Sequence, residues 1–124
     1  MRLLLDTHIM LWLLGGSRRV SRSTRQSVAQ ADEVFVSAAS VWEIGIKRAL
    51  GRISVPVDYV AYVERAHFRP LPITFEHAQR AGDLPPHHDD PFDRMLVAQA
   101  GVEHLTLVTA DRRLAAYGGA ILAA

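Results

Sequence analysis

An α/β fold, with a central parallel sheet flanked by helices in three layers, is predicted by three features of this sequence. Short apolar runs, "RLLL", "EVFVS" and "LTLVT", read as buried strands. Segments of helical spacing separate them, and strands that alternate with helices imply a parallel sheet covered on both faces. The 49% hydrophobic fraction over 124 residues is enough to build a core without disulfides, and the length predicts one domain over residues 1–124.

Arg2 to Leu5 gives the first strand, ending at Asp6, and "THIMLWLLGG" a short helix closed by Gly15-Gly16. "SRSTRQSVAQAD" is polar with spaced small residues and predicts a surface helix from about Ser21 to Ala31. "EVFVS" is the next strand, rich in β-branched and aromatic side chains. After it "SAASVWEIGIKRALG" places Val41, Ile44 and Leu50 at helical spacing, with a serine cap and Gly51 as the stop. A helix follows over roughly Asp58 to His67, then extended "PLPIT" and helical "FEHAQRAG". The prolines of "LPPHHDD" make it a loop. "PFDRMLVAQAGVEH" is a strong helix, "LTLVT" the clearest strand, "ADRRLAAYGG" a short last helix and "AILAA" a final edge strand. No repeat, low-complexity segment or linker interrupts this order.

The charge balance, Lys+Arg 14 against Asp+Glu 13, gives no global pull toward nucleic acid, so any such binding must come from local patches. Cysteine is absent, which excludes disulfides and cysteine-based zinc sites and points to a reducing cytoplasm. Asp6 and His8 break the apolar start that otherwise imitates a secretory signal. The apolar runs are too short to span a bilayer, so no membrane partner is expected. Phosphate loops, dinucleotide fingerprints and G-x-S-x-G are all missing.

Four carboxylates fall near predicted strand ends. Asp6 follows the first strand, Glu43 lies on the helix after "VFVS", Asp93 is in the first turn of the helix after the proline-rich loop, and Asp111 closely follows "LTLVT". Ligands of parallel sheets bind beyond the carboxyl ends of the strands, and strand order decides whether these acids meet. If they do, their mutual repulsion calls for a divalent cation. Oxygen-only ligands favour Mg²⁺, with Mn²⁺ as the alternative, and the implied chemistry is metal-dependent phosphodiester cleavage. Each acid also has a structural reading: Asp6 and Asp111 can cap the helices they precede, and Asp93 can complement a helix dipole. In "HHDDPFDR" Asp90 is a good N-cap and Pro91 suits the first helical position.

In order and spacing, "LLLDTHIMLWLL", "VSAASVWEIGIK", "DDPFDRMLVAQA" and "LVTADRRL" resemble the PIN-domain ribonucleases, especially the VapC-type toxins of bacterial toxin–antitoxin pairs. The resemblance covers nearly the whole chain. It implies a PIN-like sandwich and a Mg²⁺-dependent endoribonuclease whose acids are Asp6, Glu43, Asp93 and Asp111. It puts Thr7 and Thr109 at hydroxyl positions beside the metal. It also assigns Asp93 as ligand and Asp90 as cap, with Asp90 near enough to hold a metal-bound water. A homodimer, and a VapB-like antitoxin whose tail covers the cleft, are further implications. The alternative is a non-catalytic PIN-like module that binds protein or RNA, its acids only capping helices.

Other residues weigh less. Arg94, beside Asp93, is expected to touch substrate. Adjacent His87 and His88 are expected to be solvated, and His8 to make a local hydrogen bond on its helix. Arg18, Arg19, Arg22 and Arg25 read as a solvated helix face that can also grip RNA or an acidic partner. Trp12, Trp42 and Phe92, each in an apolar run, are expected in the core or at a protein interface rather than stacked on bases.

Overall fold

The computed structural model describes residues 1–124. Strands β1 (Arg2–Leu5), β2 (Glu33–Ser37), β3 (Arg69–Leu71), β4 (Thr106–Thr109) and β5 (Ile121–Ala123) form one sheet in the order β3-β2-β1-β4-β5. Every pairing is parallel. The chain therefore builds outward from β1 to β3 and then returns to the other side of β1 to lay down β4. That reversal sits between the carboxyl ends of β1 and β4, the position at which parallel sheets open a ligand crevice.

Alternation along β1 divides the core. Leu3 and Leu5 pack on one face with Ile9 and Met10 of α1 (Thr7–Leu14), Ile44 of α3 (Ala38–Ala49) and Tyr59 and Val63 of α4 (Tyr59–Arg65). Leu4 points to the other face, with Leu96 and Ala100 of α6 (Pro91–Glu103) and Leu114 of a terminal 3-10 segment (Arg112–Tyr117). Helix α2 (Arg22–Gln30) packs Val28 against the first cluster, and α5 (Phe75–Asp83) lies on α6. Leu3, Leu4 and Leu5 are fully buried, as expected of a central strand covered twice.

Local signals fix the helix ends. The side chains of Asp6, Ser21, Ser37, Thr74, Asp90 and Asp111 accept backbone amides at the starts of their helices. Gly51 takes a positive φ of 69° just past α3, the left-handed turn expected of a helix stop. Helix α6 closes differently, on His104 at φ 55°. The last helix is a 3-10 segment because six residues between Asp111 and Gly118 leave room for only a short, tight coil. Along α3 the buried side is Ala39, Ser40, Glu43 and Ile44, while Val41, Trp42 and Leu50 are exposed. Trp42, expected in the core or an interface, is 63% exposed and meets Phe92 edge-on at 5.3 Å. No helix is long and apolar enough to cross a membrane.

A buried polar chain joins the layers: Ser37 Oγ donates to Gln99 Oε1 at 2.5 Å, and Gln99 Nε2 donates to the Pro72 carbonyl at 3.3 Å. Ser37 and Gln99 are fully buried. Gln99→Leu keeps the volume but takes the acceptor from the buried Ser37 hydroxyl, so it is expected to cost about 1–3 kcal/mol. A urea midpoint unchanged from the unsubstituted protein would contradict this.

Candidate functional site

Asp6 is where the sheet becomes a site. Its amide still donates to Val108 O at 2.9 Å, continuing the β1–β4 ladder, and its side chain then turns into the crevice. Oδ1 accepts the His8 amide at 3.0 Å, capping α1, and Oδ2 accepts the Thr109 hydroxyl at 2.7 Å. The two oxygens are thus aimed by the start of α1 and the end of β4. Thr109 also accepts the Asp111 amide at 3.0 Å through Oγ1, which turns the chain after β4 so that Asp111 faces the same space.

Glu43 reaches the crevice from α3 and is buried. Thr7 Oγ1 donates to its Oε1 at 2.7 Å and stands 2.8 Å from Ser40 Oγ. Lys47, one turn along α3, donates to its Oε2. From α6 come Asp90 and Asp93. Asp90 is the cap, accepting the amides of Phe92 at 2.8 Å and Asp93 at 3.2 Å, which leaves the Asp93 carboxylate free to face the cleft. Asp111 caps the 3-10 segment by accepting the Arg113 amide, and the Arg113 guanidinium donates to both of its oxygens.

Asp6, Glu43, Asp90, Asp93 and Asp111 all line one open cleft of about 470 Å³, with Arg19, Lys47 and Arg113 around it. A larger groove of about 620 Å³ adjoins it and shares His8, Trp12 and Lys47, but its other lining is mostly apolar and holds no carboxylate. The chemistry belongs to the acidic cleft. Ligand atoms of His88, Asp93 and Asp111 lie within 4.8 Å of one another, close enough to share an ion. A carboxylate-rich, thiol-free donor set fits a hard divalent cation.

Electrostatics agree with that demand. Burial, then the charges of Asp6 and Asp90, push Asp93 up from 3.8 to about 7, with Glu43 adding to the rise and His88 opposing it. Burial also raises Asp6, against the pull of the Thr109 hydroxyl and the His8 amide. Asp111 is held low, chiefly by Arg113 and also by His88.

Several expectations need correction. Arg94 does not line the cleft: it donates to the carbonyls of Ala81, Leu84 and Pro85 at 2.9–3.0 Å, closing the end of α5. His88 is buried rather than solvated, whereas His87 is exposed and packs edge-on to Tyr117 at 5.1 Å. His8 is an exposed cleft residue, 4.0 Å from Asp6 through Nδ1. Arg19 leaves the basic cluster and covers Trp12 at 5.4 Å, placing both at the cleft. Sequence reasoning missed Lys47 and His88. The spacing of four between Glu43 and Lys47 is a legible signal of a helix pair; nothing local separates His88 from His87.

A family model described as the PIN domain matches residues 3–120. The sequence is 35% identical over 115 residues to Ribonuclease VapC22 of Mycobacterium tuberculosis, spanning 90% of this chain and 88% of that protein. Two solved structures share the fold. VapBC2 from Rickettsia felis, bound to a promoter DNA fragment, superposes with a TM-score of 0.74 at 12% identity, covering 99% of this chain and 98% of that one. DNA-bound VapBC from Salmonella typhimurium gives 0.73 at 17% identity, with the same coverage.

The raised Asp93 predicts a pH dependence. A carboxyl whose folded value lies above its unfolded one contributes stability below the ordinary carboxylate range and loses it as pH rises through the folded value. Metal-free protein is therefore expected to lose up to about 4 kcal/mol of stability between about pH 4 and pH 7, with Asp6 acting in the same direction. Asp93→Asn is expected to flatten that slope. Denaturant titrations across this window that show equal slopes for the two proteins would refute the assignment.

Proposed function

This chain belongs to the PIN-domain family, and from that premise we propose that residues 1–124 act as one domain, a Mg²⁺-dependent endoribonuclease serving as the toxin of a VapBC-like pair. The observation that carries the reading is the convergence of Asp6, Glu43, Asp93 and Asp111, from four separate segments, on one cleft. Likeness to a ribonuclease over nine-tenths of the chain supports RNA as the substrate.

Asp6, Asp93 and Asp111, with Glu43, would hold the cation; Mg²⁺ suits the oxygen donors and Mn²⁺ is the nearest substitute. When bound, the ion supplies Lewis acidity for attack of water on a phosphodiester. The protein's own groups prepare the geometry. Thr109 and the His8 amide fix the plane of Asp6, Thr7 fixes Glu43, and Asp90 sets the first turn of α6 from which Asp93 projects. Arg113 and Arg19 line the same cleft and would meet RNA phosphates there.

Partners follow the same reading. The exposed Val41, Trp42 and Val60 border an apolar groove of about 580 Å³ that a second copy of the chain would cover, giving a homodimer. A VapB-like antitoxin lays its tail over the cleft and silences it. The cysteine-free composition suits work in the cytoplasm.

Mg²⁺ at 100 times its Kd is expected to stabilise the unsubstituted protein by about 2.7 kcal/mol. Asp6→Asn is expected to remove that gain and abolish RNA cleavage while the protein stays folded. A purified Asp6→Asn protein that cuts RNA at the unsubstituted rate would end the nuclease reading in favour of a binding module. Light scattering at micromolar concentration is expected to give twice the chain mass, and half that mass after Trp42→Glu; a strict monomer before substitution would remove the homodimer.

A further inference from the structure

We infer that His88 is a positioning residue: its Nε2–H group, held between the carboxylates of Asp111 and Asp93, sets the spacing of those two acids, and the imidazole is not itself a metal ligand. The inference rests on the metal-nuclease reading above and goes beyond it to a residue outside the acid set.

The ring is buried, with only 4% of its side chain exposed, so its orientation is fixed. The Asp90 amide donates to Nδ1 at 3.0 Å. A ring nitrogen that accepts an N–H carries no proton, so the neutral imidazole holds its single proton on Nε2. Nε2 lies 2.9 Å from Asp111 Oδ2 and 3.4 Å from Asp93 Oδ2. Nε2 thus donates to the acid after β4 and lies close beside the acid on α6.

The polarity is opposite to that of a ligating histidine. A metal-bound imidazole normally donates its second ring N–H to a carboxylate or carbonyl. Here the second nitrogen faces a donor. Ligation through Nε2 would need either an imidazolate or an Nδ1–H aimed at the Asp90 N–H. The same amide comes from the residue that caps α6, so the position of the imidazole and the start of that helix are set together.

Two variants divide the ring's functions. His88→Asn keeps an acceptor near Nδ1 and deletes the donor toward the acids; His88→Gln keeps a donor near Nε2 and deletes the acceptor. Mn²⁺ titration calorimetry on folded full-length proteins is expected to show affinity weakened about 10- to 100-fold in His88→Asn and restored to within about threefold in His88→Gln. A merely structural role in the loop predicts the reverse order, and that order overturns the proposal. Imidazole ¹⁵N spectra of the unsubstituted protein give a readout independent of either variant's folding. Protonation at Nε2, kept after Mg²⁺ is added, supports the proposal; protonation at Nδ1, or loss of the Nε2 proton on adding Mg²⁺, overturns it. If the unsubstituted protein takes up neither ion, the nuclease reading fails separately, and the location of the ring proton still decides whether His88 links the two acids.

Discussion

Everything at the cleft depends on β1 being the central strand of a parallel sheet whose order reverses beside it. With β2 on one side and β4 on the other, the carboxyl ends of three strands open onto one edge, and each is followed at once by a helical segment. Helix N-termini therefore gather where the strands end, and their partial positive charge favours anions there. Asp6 and Asp111 cap such segments, and Asp93 sits in the first turn of α6, whose start lines the same cleft. The fold that brings the acids together also supplies part of the field that tolerates them. Burial first, and the neighbouring acids after it, still hold Asp93 and Asp6 above the ordinary carboxylate value.

Capping and site chemistry are not competing explanations for these carboxylates. Asp6 caps α1 with one oxygen and meets Thr109 with the other, so the cap is what orients the group. Asp111 combines its cap with Arg113 in the same way. Asp93 differs: Asp90 has taken the capping duty on α6, and His88 Nε2 stands 3.4 Å from the Asp93 carboxylate. Of the acids in the cleft, the one without a structural task carries the largest upward shift. Rigid elements with pre-aimed side chains are what a precise site requires, and the caps provide them at small cost.

Legibility in the sequence followed the range of the interactions. The spans of β1, β2, α2 and α6, and the caps at Ser37 and Asp90, were readable because each is decided within a few residues. Strand order was not, since the same local pattern fits any order and only contacts as distant as Thr109 with Asp6 select one. Adjacency misled at Arg94: it follows Asp93 directly, but one residue along a helix is a rotation of about 100°, enough to send its guanidinium to the end of α5. At Trp42 an apolar neighbourhood left core and interface open, and the inward side of α3 is given to Ser40, Glu43 and Ile44, so Trp42 stays on the surface. His87 and His88 are chemically identical neighbours, and the backbone turn before Asp90 buries just one of them.

A net charge of +1 conceals how unevenly the charge is distributed. The cleft has carboxylates from Asp6, Glu43, Asp90, Asp93 and Asp111, and around them Arg19, Lys47 and Arg113. None of these cations is loose: Arg19 lies over Trp12, Lys47 holds Glu43, and Arg113 holds Asp111. A polyanion approaching an acidic cleft is repelled unless positive charge is fixed within about a Debye length, near 8 Å at physiological salt. Cations anchored to the acids themselves meet that condition wherever the acids are. They also lower the repulsion that the acids would otherwise impose on the metal-free fold. The same ion pairs therefore make the cleft tolerable when empty and approachable by a phosphate backbone, without requiring the chain as a whole to be basic.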